Sequence, residues 1–297
     1  MAHPWPVLVF DIETSPDVAG LRLLRDADPV LSNEQVLAQE VAQRAADGRS
    51  DFLPHHLQRV ITISCAFRGG EGLRVHSFVD RSHDSASQVD PALPGDLNPG
   101  GGRAEPARPR GRSEEARIVQ QFFNTIEKRV PQLVSWNGGG FDLPVLHYRA
   151  LMHGVVAGKY WDFGDDDREF KFNNYISRYH HRHLDLMDLL ALYQPRANAP
   201  LDAMARLCGL PGKLGMDGSA VHAAWLAGRI EDIRRYCETD VMNTYLLYCR
   251  YQLMRGGLTP AEHAQEVAMV RTVLADLREP HWDEYLAAWP QPAAADP

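Results

Sequence analysis

Asp11 and Glu13 stand one residue apart at the end of a short apolar run, Val7 to Ile12. Alternate residues of a strand share a face, so the two carboxylates point one way and Phe10 and Ile12 the other. Carboxylates about 7 Å apart along a strand repel each other. A hard divalent cation is one reason to hold them at the end of a buried strand. The plainer reading is a solvated pair where the strand runs out.

Asn137-Gly138-Gly139-Gly140-Phe141-Asp142 is a more specific pattern. Its glycines permit close backbone approach and positive φ. Asp142 follows where a helix opens, with Pro144 in the first turn. Capping alone would explain Asp142, but not three glycines and an asparagine before it. Tyr236 and Asp240 lie in a strongly helical stretch at i and i+4, and so share a face. That face continues as Ile233, Cys237, Val241, Thr244 and Tyr248. An aspartate beside such a stripe is costly unless it is paired or bound to a metal. Taken singly, a helix-edge aspartate and a core tyrosine would suffice.

In this order the three patterns, D-x-E ending a strand, N-x-x-x-F-D, and Y-x-x-x-D on a helix, resemble the DEDD superfamily of 3′–5′ exonucleases. The spacing in the second is most similar to the proofreading domain of family-B DNA polymerases and to stand-alone bacterial proteins predicted as exonucleases like it. Tyr236 resembles the tyrosine of the Tyr-containing branch; the His-containing branch would need a histidine where Arg235 stands. The resemblance spans Val7 to about Arg255.

It implies a ribonuclease-H-like α/β fold and two Mg²⁺ or Mn²⁺ ions about 4 Å apart. Asp11, Glu13 and Asp240 are expected to hold one ion, and Asp11 and Asp142 the other. Asp11, Glu13, Asp142, Tyr236 and Asp240 are thus the expected catalytic residues. The tyrosine, with an ordinary pKa near 10, is assigned to orienting the attacking water. The implied reaction removes nucleoside 5′-monophosphates from the 3′ end of a nucleic acid, expected to be single-stranded DNA. The alternatives are a ribonuclease D-like RNA exonuclease, a non-catalytic nucleic-acid-binding module of the same fold, and an unrelated carboxylate-metal phosphatase.

Expected substrate contacts are Asn137, Phe141, Arg178 and Lys213. Arg178 lies in Lys171–His183, which interleaves bases with aromatics, a composition that suits stacked bases and held phosphates. Packing of those aromatics on the core is the equal alternative. Lys213 ends a Pro211-Gly212-Lys213 turn that would present it to a phosphate. His180, His181 and His183 have no matching cysteine or second histidine pair, so no zinc site is expected there.

The elements that must position these residues are legible in part. A capping box at Ser32 and Gln35 predicts a helix to about Ala46. Arg59–Phe67 and Leu73–Val79 predict a hairpin across Gly69–Gly72. Ser113 opens a helix to about Val130, Gln132–Trp136 is a strand, and helices are expected at about Leu184–Tyr193, Leu201–Cys208, Ser219–Ala227 and Ile230–Met254. Thr259-Pro260-Ala261-Glu262 starts another. The order implies a single α/β domain with a mixed sheet over residues 1–290. Within it, 81–112, rich in Ser, Asp, Pro, Gly and Arg, is expected to be a disordered insertion, and 291–297 a frayed tail.

The net charge of −8 and the lack of any long apolar run argue against a membrane span or a broadly basic nucleic-acid scaffold. The N-terminus carries no signal-peptide pattern, and the four cysteines form no C-x-x-C pair. A cytoplasmic protein with free thiols is expected.

Overall fold

The computed structural model describes residues 6–82 and 113–290. The proposed insertion, except 81 and 82, and the tail at 291–297 lie outside them. Five strands form one mixed sheet in the order β3-β2-β1-β4-β5. They are β1 (Val7–Pro16), β2 (Gln58–Gly69), β3 (Gly72–Val79), β4 (Gln132–Ser135) and β5 (His183–Asp185). β1, β2 and β3 run antiparallel to their neighbours, and β1, β4 and β5 parallel. This is the ribonuclease-H-like arrangement that the motifs imply.

The alternation read from β1 holds. Val7 and Val9 enter a core with Val241 and Tyr245 of the helix α8 (Ile230–Met254). Leu8, Phe10 and Ile12 enter the opposite core, against Ile118 and Phe122 of α3 (Glu114–Arg129) and Leu143 and Leu146 of α4 (Asp142–His153). The sheet is therefore buried on both faces, which is why β1 reads as a continuous apolar run. Asp11 and Glu13 take the α8 face by the same alternation.

Several other boundaries match. α2 (Asn33–Ala46) carries the predicted capping box at Ser32 and Gln35. α6 (Leu201–Leu207), α7 (Val221–Leu226) and α9 (Pro260–Leu277) fall where expected, the last with its Thr259–Glu262 box. The helix expected from Leu184 is shorter. His183–Asp185 pairs with β4 as an edge strand, α5 covers only Leu186–Leu190, and Leu192 and Tyr193 turn left-handed. Two short helices were not foreseen: α1 (Val18–Arg25), which buries Leu21, and α10 (Pro280–Ala288), which buries Trp282 and Tyr285.

One buried ionic knot ties together the parts of the fold that carry Asp11, Glu13 and Asp142. Arg149 of α4 donates from Nε to Glu115 of α3 at 2.6 Å, and from Nη1 to Asp17, just beyond β1, at 2.5 Å. Glu115 also accepts the backbone N–H of Val60 in β2 at 2.8 Å, and the His153 ring lies 2.9 Å from its other oxygen. Arg149 and Glu115 are 4% and 2% exposed. Removing one partner of such a pair strands the other charge out of water. Arg149→Leu is therefore expected to cost about 3–5 kcal/mol in urea unfolding. Adding Glu115→Leu should recover part of that loss; a double variant as weak as the sum of both singles would contradict the coupling.

Candidate active site

The end of β1 is where the structure gathers its acids. Parallel pairing between β1 and β4 stops at Val9–Val134. Beyond it, the Ile12 N–H donates to the Asp142 carboxylate at 3.0 Å. The first residue of α4 is thereby tied to the strand between Asp11 and Glu13. The register with β2 shifts directly after Glu13, a bulge of the kind that re-aims side chains at functional sites.

The glycine loop makes the tie possible. A Cβ on Gly138 would lie 2.5 Å from that of Ser135, and one on Gly140 2.5 Å from Asn137 Oδ1. The left-handed residue is Asn137 at φ 68°, whereas none of the three glycines has positive φ. Close approach, not positive φ, is what these glycines supply. The loop also rests on Asp185, whose carboxylate accepts the N–H of Asn137 at 3.0 Å and of Gly139 at 2.8 Å while capping α5.

α8 brings the last acid. The Cys237 thiol lies 3.5 Å from both the carbonyl and a carboxylate oxygen of Asp11, which seats the helix on β1. Ligand atoms of Asp11, Glu13 and Cys237 all lie within 4.8 Å of one another. One turn on, Asp240 Oδ2 meets the Lys213 ammonium at 2.9 Å. Lys213 also donates to the Tyr236 hydroxyl and lies 4.9 Å above its ring. Asp240 Oδ1 is buried with no hydrogen-bond partner.

The electrostatics follow from this crowding. Burial and the charges of Asp142, Glu13 and Asp240 push the Asp11 carboxyl well above the ordinary range. Burial, then Asp240, does the same to Glu13. Burial lifts Asp142 to about 7. Asp240 is raised by burial and held back by Lys213 and Tyr236. Burial works against the charge of Lys213, but Asp240, Asp11 and Glu13 outweigh it and raise its pKa. Ionised together, four carboxyls against one ammonium would leave an excess of negative charge. Such a donor set of oxygens suits a hard divalent cation.

Residues 103–289 match the model of a family described as predicted 3′–5′ exonucleases related to the exonuclease domain of PolB. The chain belongs to this family. It is a 3′–5′ exonuclease, a hydrolase whose substrate is nucleic acid. No curated protein matches it. The match includes Asp142, Tyr236 and Asp240, while Asp11 and Glu13 lie before it and join them through the contacts just described. No helix among the described residues is long and apolar enough to cross a membrane.

The other expected residues of the exonuclease divide. Asn137 opens the loop that ends in Asp142 and Phe141 directly precedes that aspartate; Lys213 pairs with Asp240 itself. Arg178 lies elsewhere, on the wall of a separate cavity, with its guanidinium 4.5 Å over the Tyr193 ring. Its segment is half core: Tyr175 and Arg182 are buried, with Arg182 stacked 4.1 Å over Phe170, whereas Phe172, Arg178 and Tyr179 are exposed. His183 and His180 are engaged with Ser135 and the Asn174 N–H, so the histidine run forms no cluster. Two rings beside Phe141 escaped sequence reasoning: Phe52 at 5.6 Å and His55 at 5.5 Å. Phe52 is 56% exposed although Arg44 clamps its backbone carbonyl at 3.0 Å. An isolated loop phenylalanine carries no sequence signal that would single it out.

The raised Asp142 carboxyl has a measurable consequence. Native protein retains a proton there that the unfolded chain, with an ordinary carboxyl near 3.8, has released. Stability from this group is thus present at low pH and lost as pH rises through about 7. His147 and His183, pushed down to about 4 by burial, contribute the opposite slope with or without Asp142. In metal-free protein, the Tm of Asp142→Asn should therefore gain on wild type between about pH 5 and about pH 8. A pH-independent difference would contradict the assignment.

Proposed function

We propose that this exonuclease removes nucleoside 5′-monophosphates from the 3′ end of single-stranded DNA with two divalent ions, Mg²⁺ or Mn²⁺. One observation carries the metal reading: the buried Asp240 Oδ1, unpartnered beside Asp11 and Glu13. Buried polar atoms are nearly always satisfied, and a carboxylate oxygen left bare among other carboxylates is suited to a cation. Asp11, Glu13, Asp142 and Asp240 would hold the ions. The ions would supply Lewis acidity, favouring ionised water and absorbing charge on the phosphate and the leaving 3′ oxygen.

The chain's own side chains have separate tasks. Tyr236 orients the attacking water. Its hydroxyl is pushed up from the ordinary phenol range, chiefly by burial and then by Asp240, so it stays protonated and does not act as a base. Lys213 holds that hydroxyl and balances Asp240; its ammonium is also placed to meet a phosphate oxygen. Asn137 and Phe141 border the terminal nucleotide, and the exposed Phe52 extends the same aromatic edge.

DNA is favoured over RNA by the family's relation to the PolB exonuclease domain. The four free cysteines suit a reducing compartment, the cytoplasm. The test uses end-labelled single-stranded DNA and RNA of one sequence, with Mg²⁺, Mn²⁺ or EDTA. A one-nucleotide ladder from the 3′ end, faster on DNA and absent in EDTA, is expected. Asp11→Ala and Asp240→Ala should abolish the ladder while circular dichroism remains native. Tyr236→Phe should slow it by about 10- to 1,000-fold. Full activity in either alanine variant would falsify the metal assignment.

A further inference from the structure

Against the glycine loop lies a cavity of about 590 Å³. Gly139 forms part of its wall, together with Arg178, Tyr179, Tyr193, His147 and His183. We infer that this cavity holds a second nucleotide of the substrate strand, on the 5′ side of the scissile bond, by stacking its base and pairing its phosphate with Arg178. The inference rests on the exonuclease reading and extends it to a subsite that the catalytic motifs do not contain.

The chemistry of the lining fits a base and a phosphate. Tyr179 is 83% exposed, so its ring is offered to solvent beside a hole, and Tyr193, 41% exposed, carries Arg178 over its ring. Arg178 is exposed and rests on Tyr193 at 4.5 Å rather than on a carboxylate within ion-pair distance among the described residues. A guanidinium stacked on a ring can meet a phosphate without leaving the ring. His147 and His183 are tied to the Tyr160 hydroxyl at 2.9 Å and to Ser135 at 2.8 Å. Burial keeps both neutral at physiological pH. Asp188, also on the wall, can accept from a base amino group or a sugar hydroxyl.

The backbone is held in an unfavourable shape to present these groups. Leu192 and Tyr193 are consecutive side-chain-bearing residues at φ 52° and 58°. The Tyr193 N–H donates to the Asp188 carbonyl at 2.7 Å, which locks the turn. Strain of this kind concentrates at functional sites, and here it leaves the Tyr193 ring under Arg178.

Charge balance supplies the third argument. The chain is acidic overall, and the catalytic carboxylates repel a polyanion. General electrostatic attraction cannot therefore hold the strand, and stacking on aromatic faces can. The cavity shares Gly139 with the loop that ends in Asp142, so a strand whose 3′ end reaches the acids can run over that loop into it.

Two readouts test this. The first compares kcat/KM for a hexanucleotide and for the same hexanucleotide with an abasic residue next to its 3′ nucleotide. Wild type should prefer the intact oligomer, and Tyr179→Ala should shrink that preference by about 10-fold, the loss of one stacked base, whereas Arg178→Ala should lower kcat/KM for both. The second places 2-aminopurine next to the 3′ nucleotide and follows its fluorescence with Asp240→Ala protein, which needs no turnover. Quenching should occur and be lost when Tyr179→Ala is added. An undiminished preference for the intact hexamer in Tyr179→Ala, or quenching indifferent to Tyr179, would overturn the subsite. Wild-type protein that trims neither oligomer would instead sink the exonuclease reading, and the fluorescence would still judge the cavity.

Discussion

The structure is organised around a repulsion. Asp11, Glu13, Asp142 and Asp240 come from a strand, a glycine loop and a distant helix, and they gather at the end of β1 with the Lys213 ammonium against them. Desolvated carboxylates that feel one another's charge do not stay ionised without help. Protons or cations must supply that help, and the raised carboxyls show the proton side of the balance. A polyanionic substrate adds to the same excess, so whatever neutralises the acids also admits the phosphate.

The scaffold around them is built to keep the acids from moving apart. β1 is buried on both faces, so Asp11 and Glu13 cannot slide without exposing Val9 or Phe10. β4 ends early enough to leave the Ile12 N–H for Asp142. Gly138 and Gly140 allow the loop to turn back that closely. Cys237 fixes α8 against Asp11, one turn before Asp240. The Arg149–Glu115–Asp17 knot then joins α4, α3 and the end of β1. Close packing of this sort resists relaxation, which is how a strained charge arrangement persists.

Much of this was legible in the sequence because it rests on local rules. Strand alternation put Asp11 and Glu13 on one face, helical spacing put Tyr236 with Asp240, and the boxes at Ser32 and Thr259 announced α2 and α9. What escaped depends on tertiary context. Three residues, His183–Asp185, are too few to show a period, and only pairing with β4 makes them a strand. α1 is eight residues long and buries one leucine, which leaves little periodic signal. The Pro211–Lys213 turn marks Lys213 for a phosphate, but its pairing with Asp240, 27 residues on, leaves no local signal. The aromatics of 171–183 could not be sorted by composition: Tyr175 bonds inward to the Pro131 carbonyl while Tyr179, four residues later, faces solvent.

The central claim, that the four acids form one cation site, is tested most directly by titrating Mn²⁺ into metal-free protein and following free ion by electron paramagnetic resonance. Two ions should disappear from the free signal per chain, and Asp240→Asn should abolish or greatly weaken at least one of them. A wild-type protein that leaves all the Mn²⁺ free, or a variant that binds as wild type does, would contradict the account.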